Sequence, residues 1–320
     1  MTLPEGERPG KPRKVKRRGL FLPWFLALLL VVGWSVGWFW LKGKAIQEMD
    51  AAVAELNTQG YEVAWRKRDF SGFPFRLDVR LEGARIAEPS GWAVAAPVIK
   101  AETTVIKFGH WVIVADDGIT LTRPDGGPVS IRAQALRASL SGLNEHPPRL
   151  SVEGLGLAFE TAPGAKDYWI RSADRLEMHL RQNPDNIEQG AMLFKVDGAR
   201  LNLEGLPARI VQGKPASVMW DLTLSKMNAF KGRDWADAVR DWQAAGGRIM
   251  VTRAEVRGGD AVLSGQGGPL TVDADGRLRG TLKADLRGSD DSPAFGGQVV
   301  LKDGKAVIGP LPIGPSPRLY

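Results

Sequence analysis

Between Arg18 and Lys42 the chain runs for 23 residues without a charge, from Gly19 to Leu41 (GLFLPWFLALLLVVGWSVGWFWL). As a helix rising about 1.5 Å per residue, this segment reaches roughly 34 Å, enough to cross a hydrocarbon core of about 30 Å. A soluble domain would have to bury so apolar a stretch, whereas a bilayer accepts it as it stands. The reading is a single transmembrane helix over 19–41. Trp34, Trp38, Phe39 and Trp40 gather at its far end, as in the aromatic belt of a membrane–water interface. Pro23 falls in the first turn, where a missing N–H costs little. The alternative is a cleaved signal peptide, whose apolar core runs about 7–15 residues before a small-x-small site. Here the one such pair near the end, Ser35-Val36-Gly37, lies inside the run and precedes Trp38-Phe39-Trp40. Arg17-Arg18 lacks the rest of a twin-arginine export signal. The segment therefore reads as a retained anchor.

The net charge of +7 invites a nucleic-acid partner, but its distribution argues otherwise. Residues 1–18 carry Arg8, Lys11, Arg13, Lys14, Lys16, Arg17 and Arg18 against Glu5 and Glu7, a net of +5. Lys42 and Lys44 bring this to +7, so residues 45–320 are neutral. The basicity belongs to the flanks of the span and excludes a nucleic-acid reading of the large domain. Residues 1–18 form a basic tail too poor in apolar side chains to order itself. Its excess of positive charge predicts an N-terminus in the cytoplasm and a C-terminal domain on the far side of the membrane. There is no cysteine, which removes disulfides, thiolate metal sites and cysteine nucleophiles.

Over 42–60, Ile46, Met49, Val53 and Leu56 recur at helical spacing among Gln47, Glu48, Asp50 and Glu55, with Asn57 and Gly60 closing the run. The spacing predicts a juxtamembrane amphipathic helix whose stripe packs on its own domain, dimerises, or lies on the membrane. From Phe75 the pattern switches to strict alternation. Phe75, Leu77, Val79 and Leu81 take one face of a strand, and Arg76, Asp78, Arg80 and Glu82 the other. The same alternation returns over 176–181, 218–225 and 277–286. Turn signals stand between such runs: Pro124-Asp125-Gly126-Gly127, Pro147-Pro148, Asp197-Gly198, Gly258-Gly259-Asp260, Asp275-Gly276 and Asp303-Gly304. One helix interrupts at about 233–245, with Trp235, Val239 and Trp242 on one face. The fold class expected for 61–320 is mainly β, antiparallel, of many strands with one or two short helices, with two lobes meeting near 233–245 as one arrangement. No repeat of fixed period is present.

A span, a short helix and the strand entry Gly72-Phe73-Pro74-Phe75-Arg76 together resemble the DUF2125 family, alphaproteobacterial membrane-anchored envelope proteins of unassigned function. Two further stretches carry the resemblance. One is Asp234-Trp235 through Trp242-Gln243-Ala244-Ala245-Gly246-Gly247, with Gly276-Arg277-Leu278-Arg279-Gly280; the other runs from Lys302 to Gly314. The likeness covers most of residues 30–320. Its motifs are made of structural residue types and bring no catalytic residue with them.

A search for chemistry finds little. His110, His146 and His179 are the whole histidine supply, and none pairs at metal-ligand spacing. There is no Gly-x-Ser-x-Gly elbow and no phosphate loop. Gly265-Gln266-Gly267-Gly268 lacks the spacing of a dinucleotide site. Asp116-Asp117-Gly118 and Asp290-Asp291 lack the further oxygen ligands of a calcium loop. The expectation is a protein with no catalytic, cofactor or metal residues, acting by binding. Its partners would be inner-membrane lipid and a lipid or other envelope amphiphile. The alternatives are an envelope scaffold that recruits a protein, and an enzyme with a dispersed site.

Overall fold

The computed structural model describes residues 21–288 and 293–320. The basic tail 1–18, the first two residues of the expected span and the pair Asp290-Asp291 lie outside that range. The chain divides into two compact units, residues 1–47 and 48–320.

In the first unit the apolar segment is helical from Leu22, and it belongs to a helix, α1, that runs on without interruption to Thr58. This is a helix long and apolar enough to cross a membrane. Over residues 22–34 its side chains are exposed, Phe25, Leu26, Leu29 and Leu30 among them. Trp34, Phe39 and Trp40 are exposed at its far end and Trp38 is buried. Lys42 and Lys44 lie over the rings of Trp38 and Trp40, at 5.8 and 5.7 Å.

The second unit is built on one 18-stranded sheet, antiparallel in every pairing. Its N-terminal strands are β1 (Glu62–Ala64), β2 (Lys67–Ser71), β3 (Arg76–Ala87), β4 (Ala93–Thr104), β5 (Trp111–Val114), β6 (Ile119–Arg123), β7 (Gly127–Arg132), β8 (Ala135–Ser141) and β9 (Arg149–Thr161). β4 pairs β5 along one half and β6 along the other, and β9 likewise pairs β8 and β7. A plain meander follows: β10 (Ile170–Asn183), β11 (Asn186–Leu201), β12 (Ala216–Leu224), β13 (Ile249–Gly258), β14 (Ala261–Val272), β15 (Leu278–Gly288), β16 (Pro293–Lys302), β17 (Lys305–Ile308) and β18 (Leu311–Pro315). The mainly β, antiparallel expectation is met. Two short helices accompany it, α2 (Gly205–Val211) and α3 (Trp235–Ala244). β12 and β13, on either side of α3, pair directly, so one sheet runs through the region where two lobes were weighed.

Two expectations are corrected locally. Phe75 precedes β3 and sits in a turn, 67% exposed, so the alternating strand begins at Arg76. Asp197-Gly198, read as a hairpin turn, lies inside β11. Gly198 there takes a positive φ of 60° and forms a bulge that leaves Val196 and Ala199 buried. A similar bulge interrupts β13: Trp220 faces Ala254, but Leu222 faces Val251. Val251 and Ile249 are thereby turned into the core, while Met250 is 44% exposed.

The sheet is strongly coiled. At the usual rotation of about 20–25° between adjacent strands, the six steps from β4 to β12 through β6, β7, β9, β10 and β11 would turn the strand direction by roughly 120–150°. Turns far apart in sequence meet as a result. The Trp235 amide donates to Glu88 at the β3–β4 turn (3.1 Å), and Arg318 pairs with Asp125 at the β6–β7 turn (2.8 Å). At the C-terminal side α2 touches β13, β14 and β18. Five strand spacings are about 24 Å on a flat sheet, against roughly 10 Å for a helix of this length, so the sheet must bend around α2.

Two cores result. One joins Val239 and Trp242 of α3 to Ile249, Val251, Leu270, Val272 and Ala284, with Leu319 and Tyr320 packed on it. The other gathers Val129, Ile131, Leu157, Phe159, Ile170, Ala173, Val196 and Ala199. Asp234 caps α3, accepting from the Asp237 amide (2.9 Å). Trp242, 1% exposed, donates its indole N–H to the Ser225 carbonyl (2.6 Å). Trp242→Ala removes both the largest buried ring and that donor. It should cost about 3–5 kcal/mol, read as a lowered midpoint in thermal or denaturant unfolding followed by circular dichroism.

Candidate functional site: an apolar band across the sheet

Because side chains alternate along a strand, residues paired across strands share a face. One row can be followed through thirteen residues: Phe70, Val79, Ala101, Ile113, Ala138, Val152, Met178, Phe194, Trp220, Ala254, Gly265, Ala284 and Gly297. No member is polar. The flanking rows repeat the pattern. One reads Leu140, Leu150, Leu180, Met192, Leu222 and Val251; the other reads Leu136, Gly154, Leu176, Val196, Val218, Val256, Leu263 and Leu286.

The opposite face is charged. Arg80, Lys100, Arg137, Glu153, Glu177, Lys195 and Glu255 occupy it, joined by pairs such as Arg137–Glu153 (2.5 Å), Lys195–Asp197 (2.6 Å) and Arg253–Glu255 (2.6 Å). Each is at least partly solvated, so each contributes little to stability singly. Collectively they keep that face wet.

The apolar face is not closed throughout. Its β13–β15 end enters the first core through Val251 and Ala284, and Val196 of a flanking row belongs to the second, but Ala101, Ile113, Ala138, Val152, Met178, Phe194, Trp220 and Ala254 are all half-buried. So are Leu140, Leu150, Leu180, Met192 and Leu222. Aromatic rings floor the middle: Phe194 and Trp220 stack at 4.9 Å, and Trp169 from the β9–β10 connection leans over both at 6.0 and 5.8 Å. Tyr168 beside it stacks on Phe159 (5.3 Å) and carries the Arg123 guanidinium over its ring (5.3 Å). Burial pushes the Tyr168 phenol above its ordinary range, and the Trp169 bond and Arg123 oppose that shift.

The histidines do not line this face. His179 shares a row with Ser151 on the charged side and bonds its hydroxyl (3.0 Å); His110 bonds Ser139 (3.3 Å). His146 stands in the β8–β9 connection. Among the described residues no group of three His, Asp or Glu is arranged to hold a metal. Asp116 pairs with Lys100 (2.5 Å).

The Gly-Phe-Pro-Phe-Arg motif forms the β2–β3 turn. Gly72 has φ +101°, and a Cβ there would lie 2.8 Å from the Arg76 carbonyl oxygen, so only glycine fits. Pro74 follows a cis bond from Phe73. Phe73 and Phe75 are exposed, and Arg76 pairs with Asp78 (3.0 Å) and Glu102 (3.2 Å). The motif is a shaped turn at one end of the band. The stripe of the juxtamembrane segment is legible too: Met49, Val53 and Leu56 are half-buried within the second unit, and Asp50 accepts from Arg68 (2.5 Å), itself over Trp65 and Phe70.

Sequence reasoning identified the inward residues of β3, β10, β12 and β15 but missed Ile113, Ala138, Val152 and Phe194. Leu136, Ala138 and Leu140 against Arg137 and Ser139 do alternate; alanine and serine mute the signal.

Two carboxylates have a stated pH response. Arg68 bonding holds Asp50 below its ordinary range, and Arg137 bonding does the same for Glu153. A depressed folded pKa stabilises above the unfolded value and is lost as pH falls through the folded one. Stability should therefore begin to fall below about pH 4–5, and Glu153→Gln should lower the neutral plateau slightly and flatten the acid limb by that same small amount, as measured by urea midpoints from pH 3 to 7.

The comparisons agree with the motifs. No curated protein and no solved structure matches the chain. The profile described as "Uncharacterized protein conserved in bacteria (DUF2125)" matches residues 38–294, and the chain belongs to that family.

Proposed function

We propose that the chain is a single-pass protein of the bacterial inner membrane whose sheet domain stands in the periplasm and holds lipid tails or another envelope amphiphile, without catalysis. The orientation follows from the seven basic residues before the span and the two after it. The binding role is carried by one observation: an uninterrupted apolar face on which Ala101, Ile113, Ala138, Val152, Met178 and Trp220 are half-buried and belong to neither buried cluster. Such surface is costly in water, and a tail lying on it would remove apolar area from solvent at about 25 cal/mol per Å². The ligand class is set by the lining, aliphatic and aromatic with the charges on the far side of the sheet. Catalysis is left out because the imidazoles of His110 and His179 sit on serine hydroxyls away from the band.

The scaffold reading has less behind it. The edge strand β18 carries Pro312 and Pro315, which cannot donate to an added strand, and the stripe Met49, Val53 and Leu56 is already half-buried.

Full-length protein in nanodiscs containing a phospholipid with a photoactivatable tail tests the proposal. Adducts are expected in peptides holding Met178, Phe194 and Trp220, and Phe194→Lys should cut them several-fold. Labelling confined to residues 22–41 rejects a lipid site on the sheet.

A further inference from the structure

β3, β4 and β5 leave the band through two adjoining turns, residues 72–75 and 105–110. The Val105 amide donates to the Phe75 carbonyl (3.0 Å), so the turns sit side by side. Between them they expose Phe73 (50%), Phe75 (67%), Ile106 (84%) and Phe108 (38%). Among the described residues, other connections of the same sheet expose at most one large apolar side chain each, Leu143, Ile187 or Trp235, and Pro124-Asp125-Gly126 and Asp303-Gly304 expose none.

The projection of Ile106 is built. Val105–Lys107 form a single 3-10 turn capped by Thr104, whose Oγ1 accepts from the Lys107 amide (3.2 Å). Thr103, 3% exposed, donates its hydroxyl to the Lys107 carbonyl (3.2 Å). Two threonines thus hold the turn in place with Ile106 pointing to solvent. Lys107, between Ile106 and Phe108, is exposed and makes no ion pair among the described residues. The nearby carboxylates Asp78 and Glu102 are both engaged by Arg76. Phe108 packs edge-on against Trp111 (5.8 Å), which ties the turn to the strand behind it.

We propose that turn 105–108 is a second membrane contact, in which Ile106 and Phe108 enter the interfacial layer of the bilayer and Lys107 meets lipid phosphates. Three features favour a bilayer over a protein. The chain carries its own spanning helix, so the domain is covalently kept at a membrane. Aromatic side chains with a neighbouring ammonium are the composition of membrane interfaces, the stem buried and the charge reaching headgroups. A short turn also presents far less than the roughly 800 Å² that each partner of a stable protein interface contributes, whereas a lipid surface needs only a few inserted side chains. This inference needs the spanning helix alone and does not depend on lipid occupying the band.

The absence of cysteine makes the test direct. Full-length Ile106→Cys carrying a nitrobenzoxadiazole probe is placed in nanodiscs of phosphatidylethanolamine and phosphatidylglycerol, with Leu155→Cys on β9 as the reference site. The probe at 106 should emit to the blue of the one at 155 and be quenched at least threefold more by spin-labelled lipid. Lys107→Glu should reduce that difference. Equal quenching at the two sites overturns the proposal. So does protection of site 106 from aqueous iodide without lipid quenching, since a protein would then be covering the turn.

Discussion

Every strand of this sheet depends on the phase of its side chains. With a period of two, a slip of one residue sends a strand's whole apolar set to the wet face. The row from Phe70 to Gly297 exists because consecutive ladders hold the same phase. Where the sequence itself drops a beat, a bulge restores it. Ile249 and Val251 are in phase with each other but out of phase with Ala254 and Val256, and the irregularity in β13 between them brings all four to one side. In β11, Gly198 does the same for Val196 and Ala199. The bulges are therefore the condition for a one-sided sheet, and each adds local twist.

Accumulated twist explains how so long a ladder ends without a ragged margin. The last residues stitch across the tips of other hairpins. Ser316, 1% exposed, donates its amide to the Gly304 carbonyl (2.9 Å) and its hydroxyl to the Leu278 carbonyl, and its own carbonyl accepts from Arg277 (2.8 Å). Trp235 donates its indole to the Leu319 carbonyl (2.6 Å), and Arg240 lies over Tyr320. These contacts pin the C-terminus to α3. Through Glu88 and Asp125 they also pin it to turns more than a hundred residues earlier in the chain.

The parts legible in the sequence were those governed by local rules. Strict alternation at Leu77-Asp78-Val79-Arg80-Leu81 marks a strand wherever it occurs, and Asp234 ahead of Trp235, Val239 and Trp242 marks a helix start. Asp197-Gly198 was misread because one dipeptide serves both a turn and a bulge, and only the pairing partner decides between them. α2 was missed because Gly205-Leu206-Pro207 gives too few turns for periodicity to register. The half-exposure of Phe194 and Trp220 lay beyond reach for another reason. Their inward direction is a property of β11 and β12, whereas what covers them is set by the coil of the whole sheet.

The direction of the apolar row has a physical consequence of its own. It runs across the strands, so its length grows with strand number: from β4 to β13, seven spacings of about 4.8 Å give roughly 34 Å. A tail reaching to the middle of a bilayer core is about 15 Å long. Apolar contact is non-directional, and the backbone hydrogen bonds of this region are already spent within the ladders. A chain on this face would meet nearly the same environment at each step from one strand to the next.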